Sequence, residues 1–251
     1  MNKLNGLIKC IKKFGFSGLL FFLKNKLSRS TKYYLIKVSD HPFFLRRNTS
    51  DFLVFEEIFL DSQYEFNALP KDAKYLIDAG ANVGLSALFF QRKYPDAEII
   101  CIEPEDKNYR QLVINTGHYE TVSHINGALW NKKTNLSLHQ DNKAEWSFSV
   151  QANLSNKNTN TVQSITMQDV IARWDMDIID IVKLDIEGGE KDLFSSDYEW
   201  IKKVKYLIIE FHQIDGQDTS GNFKNVMEKL NFIKYSQRQN ELYVNLDLVN
   251  K

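Results

Sequence analysis

Cysteine, proline and long apolar runs are all scarce in this 251-residue chain, and each scarcity excludes something. The two cysteines, Cys10 and Cys101, stand far apart and outside any CxxC or CxxH spacing, so neither a disulfide framework nor a cysteine-built zinc site is expected. A reducing compartment suits such a sequence, and a cytoplasmic protein is predicted. With 4 prolines and 11 glycines the chain is neither collagen-like nor a Pro/Gly-rich disordered polymer, and its 43% hydrophobic residues can fill a core. No run approaches the ~18 apolar residues of a membrane span. The longest early run, Gly18 to Leu23, is also shorter than a secretory apolar core and no small-residue cleavage site follows it, so export is not expected.

Net charge is lacking too, with 32 basic against 32 acidic residues, which argues against a nucleic-acid binder working by bulk positive charge. The zero is a cancellation. Between Met1 and Ser39 lie nine basic residues and no acidic one, and the rest of the chain carries 23 basic against 32 acidic residues, a net −9. Leu4, Leu7, Ile8, Ile11 and Phe14 recur at helical spacing among lysines, and a second apolar block runs from Leu19 to Leu23 and Leu27. One or two basic amphipathic helices are predicted. They suit peripheral membrane contact or a phosphorylated or lipid-linked substrate, and equally an ordinary helix packed on the main domain or on a second copy in a homodimer.

From His41 to Pro70 aromatics dominate, and Thr49 or Ser50 is placed to cap a helix over Asp51 to Leu60. Residues 1–70 therefore read as a basic and aromatic helical extension, and 71–251 as the main domain. In the latter, strand and helix alternate. Strands are expected at Tyr75 to Ala79, Glu98 to Glu103, Thr121 to Asn126, Ile178 to Leu184 and Val204 to Glu210, with helices between them and an antiparallel pair at Phe232 to Tyr235 and Leu242 to Leu246. Apolar strands separated by helices imply a mostly parallel α/β sheet covered on both faces. Residues 134–164 break the rhythm and predict an inserted hairpin with an exposed loop; Trp146 within it could stack on a ring.

Chemistry-bearing residues gather at the ends of these strands. The first strand runs into Asp78-Ala79-Gly80-Ala81-Asn82-Val83-Gly84 and then a helix, a turn whose glycines allow close backbone approach and whose helix start offers free amides. Glu103, 19 residues after Gly84, ends the second strand, where a carboxylate can accept both hydroxyls of a ribose. The spacing is Gly-x-x-x-Gly rather than Gly-x-Gly-x-x-Gly, which weakens a nicotinamide dinucleotide reading. Lys183, Asp185 and Glu187 alternate at the end of the fourth strand and would share one side of it; Glu210 and His212 end the fifth. Carboxyl ends of adjacent parallel strands lie together beside the ligand crevice. A salt-bridged network around Lys183 that merely closes the sheet is the alternative.

With Ile77 to Gly84, Glu103-Pro104, Asp180 to Glu190 and Glu210-Phe211-His212 in view, the chain resembles the FkbM family of S-adenosylmethionine-dependent methyltransferases over roughly residues 41 to 215. Gly189 stands where alanine is commoner. The resemblance implies a class I, Rossmann-like methyltransferase fold with a seven-stranded sheet closed by an antiparallel strand. It also implies O-methylation, often of sugars in polysaccharides, glycolipids or antibiotics. The cofactor-binding residues expected are Asp78, Gly80, Asn82, Gly84, Glu103 and Asp185, with Asn126 where many methyltransferases place an acid for the adenine amine.

A sugar hydroxyl needs a general base, for which Asp185 and His212 are the candidates, with Glu210 orienting the histidine or binding the acceptor and Lys183 holding the carboxylates. A divalent metal on Asp185, Glu187 or Glu210 with His212 would serve the same end, but spacing alone assigns no metal ligand. Two further readings stay open: a noncatalytic subunit that keeps the cofactor fold, and a nicotinamide-dependent oxidoreductase.

Overall fold

The computed structural model describes residues 8–16, 18–19, 23, 33–36, 43–140, 148–151, 161–214 and 217–250. Its centre is a seven-stranded sheet of β1 (Tyr75–Ala79), β2 (Glu98–Glu103), β3 (Val122–Asn126), β4 (Ile179–Leu184), β5 (Val204–Glu210), β6 (Phe232–Gln237) and β7 (Asn240–Asn245), in the spatial order β3-β2-β1-β4-β5-β7-β6. Neighbours from β3 to β5 are parallel, whereas β7 runs antiparallel to both β5 and β6. The order of building reverses between β1 and β4, and a crevice is expected at the carboxyl ends of strands at such a switch point.

The inner strands feed two cores because successive side chains point to opposite faces. Leu76, Ile99, Cys101, Ile181 and Ile208 pack with helices α1 (Leu85–Lys93) and α2 (Asp106–Thr116). Ile77, Ile100, Ile102, Val182 and Leu207 face α3 (Met167–Arg173), α4 (Glu190–Leu193) and α5 (Gly221–Met227). Every residue of β4 is buried, as its run without polar alternation predicts. Thr166 and Asp169 cap the start of α3 reciprocally.

The expected hairpin is present: Asn135–Gln140 pairs antiparallel with Phe148–Gln151 and also with a third strand, Thr161–Ile165. The exposed loop expected at 153–160 and Trp146 lie outside the described residues.

The amino-terminal extension differs from the wholly helical one expected. Tyr33–Ile36 and Phe43–Arg46 form an antiparallel pair, in keeping with the extended preference of aromatic and branched residues. Its second strand is captured by α2: Phe44 N–H donates to Asn115 Oδ1 (2.8 Å), and Gln111 Nε2 donates to the Phe44 carbonyl (3.0 Å). Arg46 then grips Asp51 with two guanidinium donors and reaches Asn108 Oδ1 (2.8 Å), tying the extension to the start of α2. The helix that follows is α-helical over Asp51–Phe55 and a π-helix over Glu56–Leu60. Ser50 does not cap it through its side chain; Thr49 Oγ1 accepts from Asp51 N–H (3.3 Å).

Phe55, Ile58, Phe59, Tyr64 and Phe66 share one buried cluster with Leu76, Leu85 and Phe90, so the extension completes the core of the main domain. The basic arm docks here as well. In helix 8–16, Cys10 is buried, Phe14 stacks on Phe55 (6.0 Å between centroids), Lys9 pairs with Asp61, and Lys13 with Glu65 (2.7 Å). Part of its positive charge is thus spent within the chain. Among the described residues no helix is long and apolar enough to cross a membrane.

Candidate active site

The β1–α1 turn holds Gly80 (φ +74), Asn82 (φ +48) and Gly84 (φ +86) in left-handed conformations. A Cβ on Gly80 would overlap the Asp185 carbonyl oxygen, and one on Gly84 would meet Leu112 Cδ1 at 2.8 Å. These two glycines therefore let the chain cross its own backbone and let α1 sit tightly on α2. The turn presents the Asn82 N–H to Glu103 Oε2 (2.8 Å), while Glu105 N–H donates to Oε1 (2.9 Å). Burial pushes the Glu103 carboxyl up, the two amides oppose it, and the net value is about 7.

Glu103 faces a cavity walled by Gly80, Asn82, Asn108, Leu129, Trp130, Asp185 and Glu187. Gly189 has a reason in this wall: a Cβ there would meet the Trp130 ring at 3.0 Å.

At the next strand the expected alternation ends early. β4 stops at Leu184, and Asp185 and Glu187 lie in a turn with Glu187 (φ +52) and Gly188 (φ +92) left-handed. The side chains converge nonetheless. Lys183, 2% exposed, donates to the Gly80 carbonyl (2.8 Å) and pairs with Asp78 (3.2 Å) and Asp185 (3.5 Å). Burial lowers its pKa, but the Asp78 and Asp185 charges outweigh this and hold the ammonium well above its ordinary range.

His212 Nε2 lies 3.6 Å from Asp185 Oδ1, 3.6 Å from Glu187 Oε2 and 3.8 Å from Glu210 Oε1. Its Nδ1 meets Glu190 at 3.4 Å, and Glu190 is fully buried with Thr219 Oγ1 on its other oxygen (3.2 Å). Burial pulls the imidazole down, but the Glu190 bond and the surrounding carboxylates raise it to about 10. Burial and then the Asp185 charge raise Glu210 to about 7.

This cluster opens into a second, larger cavity of about 460 Å³, lined by Lys183, Asp185, Glu187, Glu210 and His212 and roofed by Glu57, Ile58, Gln63 and Tyr64 of the extension. The π-helical turn supplies Glu57 and Ile58, and such turns occur often at functional sites. Glu57 is raised by burial and then by Asp185. Gln63 Nε2 donates to Glu210 Oε2 (3.3 Å). Gly80, Asn82, Asp185 and Glu187 line both cavities.

Of the residues singled out from sequence, Gly80, Asn82, Glu103 and Asp185 meet in the first cavity and Lys183, Asp185, Glu210 and His212 in the second. Asp78 lies beneath them, fully buried, holding Lys183 and Ser86 Oγ (2.5 Å). Gly84 packs on α2. Asn126 ends β3 but donates to Asp106 Oδ1 (3.0 Å) and lines a separate cavity with Pro104, Asp106 and Gln163. Glu190, Glu57, Gln63, Tyr64 and Trp130 had no role in the sequence reading. Glu190 stands in the quoted stretch Asp180 to Glu190, and only its burial reveals what it does.

The Methyltransferase FkbM domain family model matches residues 78–240. Methyltransferase sdnD of Sordaria araneosa is 38% identical over 72 residues, 29% of this chain and 27% of that protein. The 2-O-methyltransferase NoeI of Sinorhizobium fredii (strain NBRC 101917 / NGR234) is 20% identical over 182 residues, 66% of this chain and 72% of its own length. Among solved structures, the FkbM methyltransferase from Methylobacillus flagellatus KT superposes with a TM-score of 0.50 at 14% identity, over 72% of this chain and 46% of that one. The chain thus spans about a quarter of sdnD and under half of the M. flagellatus protein. With the family match covering well over half of the sequence, the chain belongs to the FkbM methyltransferase family.

Proposed function

We propose that the protein is an S-adenosylmethionine-dependent O-methyltransferase acting on a hydroxyl of a sugar or glycoconjugate. The observation that carries this reading is the wall shared by the two cavities, where Asp185 and Glu187 face a donor side and an acceptor side at once.

The donor side fits the cofactor. Each Glu103 oxygen accepts one backbone amide, which leaves lone pairs for the two hydroxyls of a ribose. Leu129, Trp130 and Ile186 give the apolar surface that an adenine needs. When bound, S-adenosylmethionine supplies an electrophilic methyl whose leaving group is a neutral thioether. The protein's own task is to align the acceptor oxygen and take its proton. Asp185 suits the second role because its carboxylate stands at the junction, and Lys183 holds it in place. Glu210, Gln63 and Glu57 offer acceptors and donors to a polyhydroxylated ring. The acidic balance after Asp40 disfavours nucleic acid as substrate, and two buried free cysteines suit the cytoplasm.

The test is release of S-adenosylhomocysteine from S-adenosylmethionine with free sugars, polysaccharide and lipid-linked oligosaccharide as acceptors. Acceptor-dependent release with the methyl recovered on oxygen supports the reading. Transfer to nitrogen or carbon only, or binding without turnover on any hydroxyl acceptor, contradicts it.

A further inference from the structure

We infer that Asp185, Glu187 and His212 form a binding site for one divalent cation of the magnesium or manganese class, set in the wall between the two cavities. One ligand atom from each of the three residues lies within 4.8 Å of the other two. The Nε2 distances to Asp185 and Glu187, 3.6 Å each, are too long for hydrogen bonds. They stand a few tenths of an ångström outside the spacing around a shared ion: ligands about 2.1–2.3 Å from one centre are roughly 3.0–3.3 Å apart when adjacent in octahedral geometry, a closure that side-chain rotation supplies. Two carboxylates and an imidazole are the ligand types that hard and borderline dications accept, and the open cavity leaves positions for water and for an acceptor oxygen.

Two further features favour a metal over a network of hydrogen bonds. Ligating histidines are commonly fixed by a carboxylate on the other ring nitrogen. Here Glu190, buried and braced by Thr219, takes Nδ1 and leaves Nε2 to the cavity. Lys183 is committed to Asp78 and the Gly80 carbonyl and meets the cluster only at Asp185 Oδ2 (3.5 Å), so a dication would take the place of the proton on His212 Nε2 as the positive charge between these carboxylates. Glu210 sits just outside, held by Gln63. The role of the cation rests on the methyltransferase reading: bound between donor and acceptor, it would hold the acceptor hydroxyl and lower its pKa as a Lewis acid. Its binding does not depend on that reading.

The experiment titrates chelator-treated full-length protein with Mn²⁺ by calorimetry, and separately with S-adenosylhomocysteine. One Mn²⁺ per chain is expected, with affinity at least tenfold weaker in Glu187→Gln and His212→Ala and unchanged in Glu199→Gln, an exposed acid remote from the cluster. Should a variant fail to fold, electron spin-echo spectra of the Mn²⁺-loaded wild type decide: coupling to one imidazole nitrogen is expected. No saturable Mn²⁺ binding by the wild type, no nitrogen coupling, or equal affinity in both folded variants overturns the site. Loss of S-adenosylhomocysteine binding with Mn²⁺ binding kept overturns the donor assignment instead and leaves the cation in place.

Discussion

The two cavities are built in different ways. The cavity proposed for the donor draws on four stretches of the main domain, Gly80 to Asn82, Ile102 to Asn108, Ala128 to Trp130 and Asp185 to Glu187, and centres on one buried acid, Glu103. The cavity proposed for the acceptor gathers Val54 to Tyr64 of the extension with Gly80 to Ser86, Lys183 to Glu187, Glu210 to His212 and Gln239, and it is crowded with carboxylates. The first lies wholly within the main domain. The second adds a roof from the extension.

That division can be broken most severely at the junction. Asp185→Asn should leave S-adenosylhomocysteine affinity nearly unchanged while lowering turnover by about 10²- to 10⁴-fold, as loss of a general base does. Weakened cofactor binding with turnover preserved at saturation would move Asp185 to the donor side. Beneath the junction, Lys183→Met strands Asp78 as a buried charge and should cost about 3–5 kcal/mol in urea unfolding. A loss near zero would mean that Asp78 is neutral in the fold.

On the donor side, Glu103→Ala removes charge-assisted hydrogen bonds worth about 1.5–3 kcal/mol each, so S-adenosylhomocysteine affinity should fall roughly 10- to 150-fold or more. The same group sets a pH dependence. Burial raises it to about 7; Glu105 adds to the shift, Lys183 and the two amides oppose it, and ribose hydroxyls are best accepted by the ionised form. Affinity should therefore decline as pH drops below 7, approaching tenfold per unit at the limit. For the unliganded protein the sign is opposite: a raised carboxyl favours the fold at low pH, and that contribution is lost as pH rises from the ordinary carboxylate range through about 7. A flat titration of affinity between pH 8 and 5.5 would remove Glu103 from the donor contacts. The smallest effect belongs to the arm. Lys13→Ala breaks an exposed pair with Glu65 and should cost under about 1 kcal/mol; a larger loss would make the arm's docking more than local.

Legibility in the sequence follows the same divide. β1, β2 and β5 occupy the spans expected residue for residue, because an apolar run bounded by charged or turn residues has little freedom in a covered sheet. Glu103 was readable for a similar reason: a strand end fixes the depth of a side chain. It does not fix its direction, and Asn126, also at a strand end, turns to Asp106 and a neighbouring cavity. Glu190 was hidden because an acid at a helix start ordinarily serves the helix dipole; only the β5 end and Thr219 reveal that it holds His212. The extension's strand pair is held by Asn115, Gln111 and Asn108, some 60 to 70 residues away, which no local pattern reports.

The central claim is that the cavity at Glu103 takes S-adenosylmethionine. Calorimetric titration of the wild-type chain with S-adenosylhomocysteine and, in parallel, with NAD tests it most directly. One S-adenosylhomocysteine bound per chain with no response to NAD is the result predicted; a response to NAD alone would contradict it.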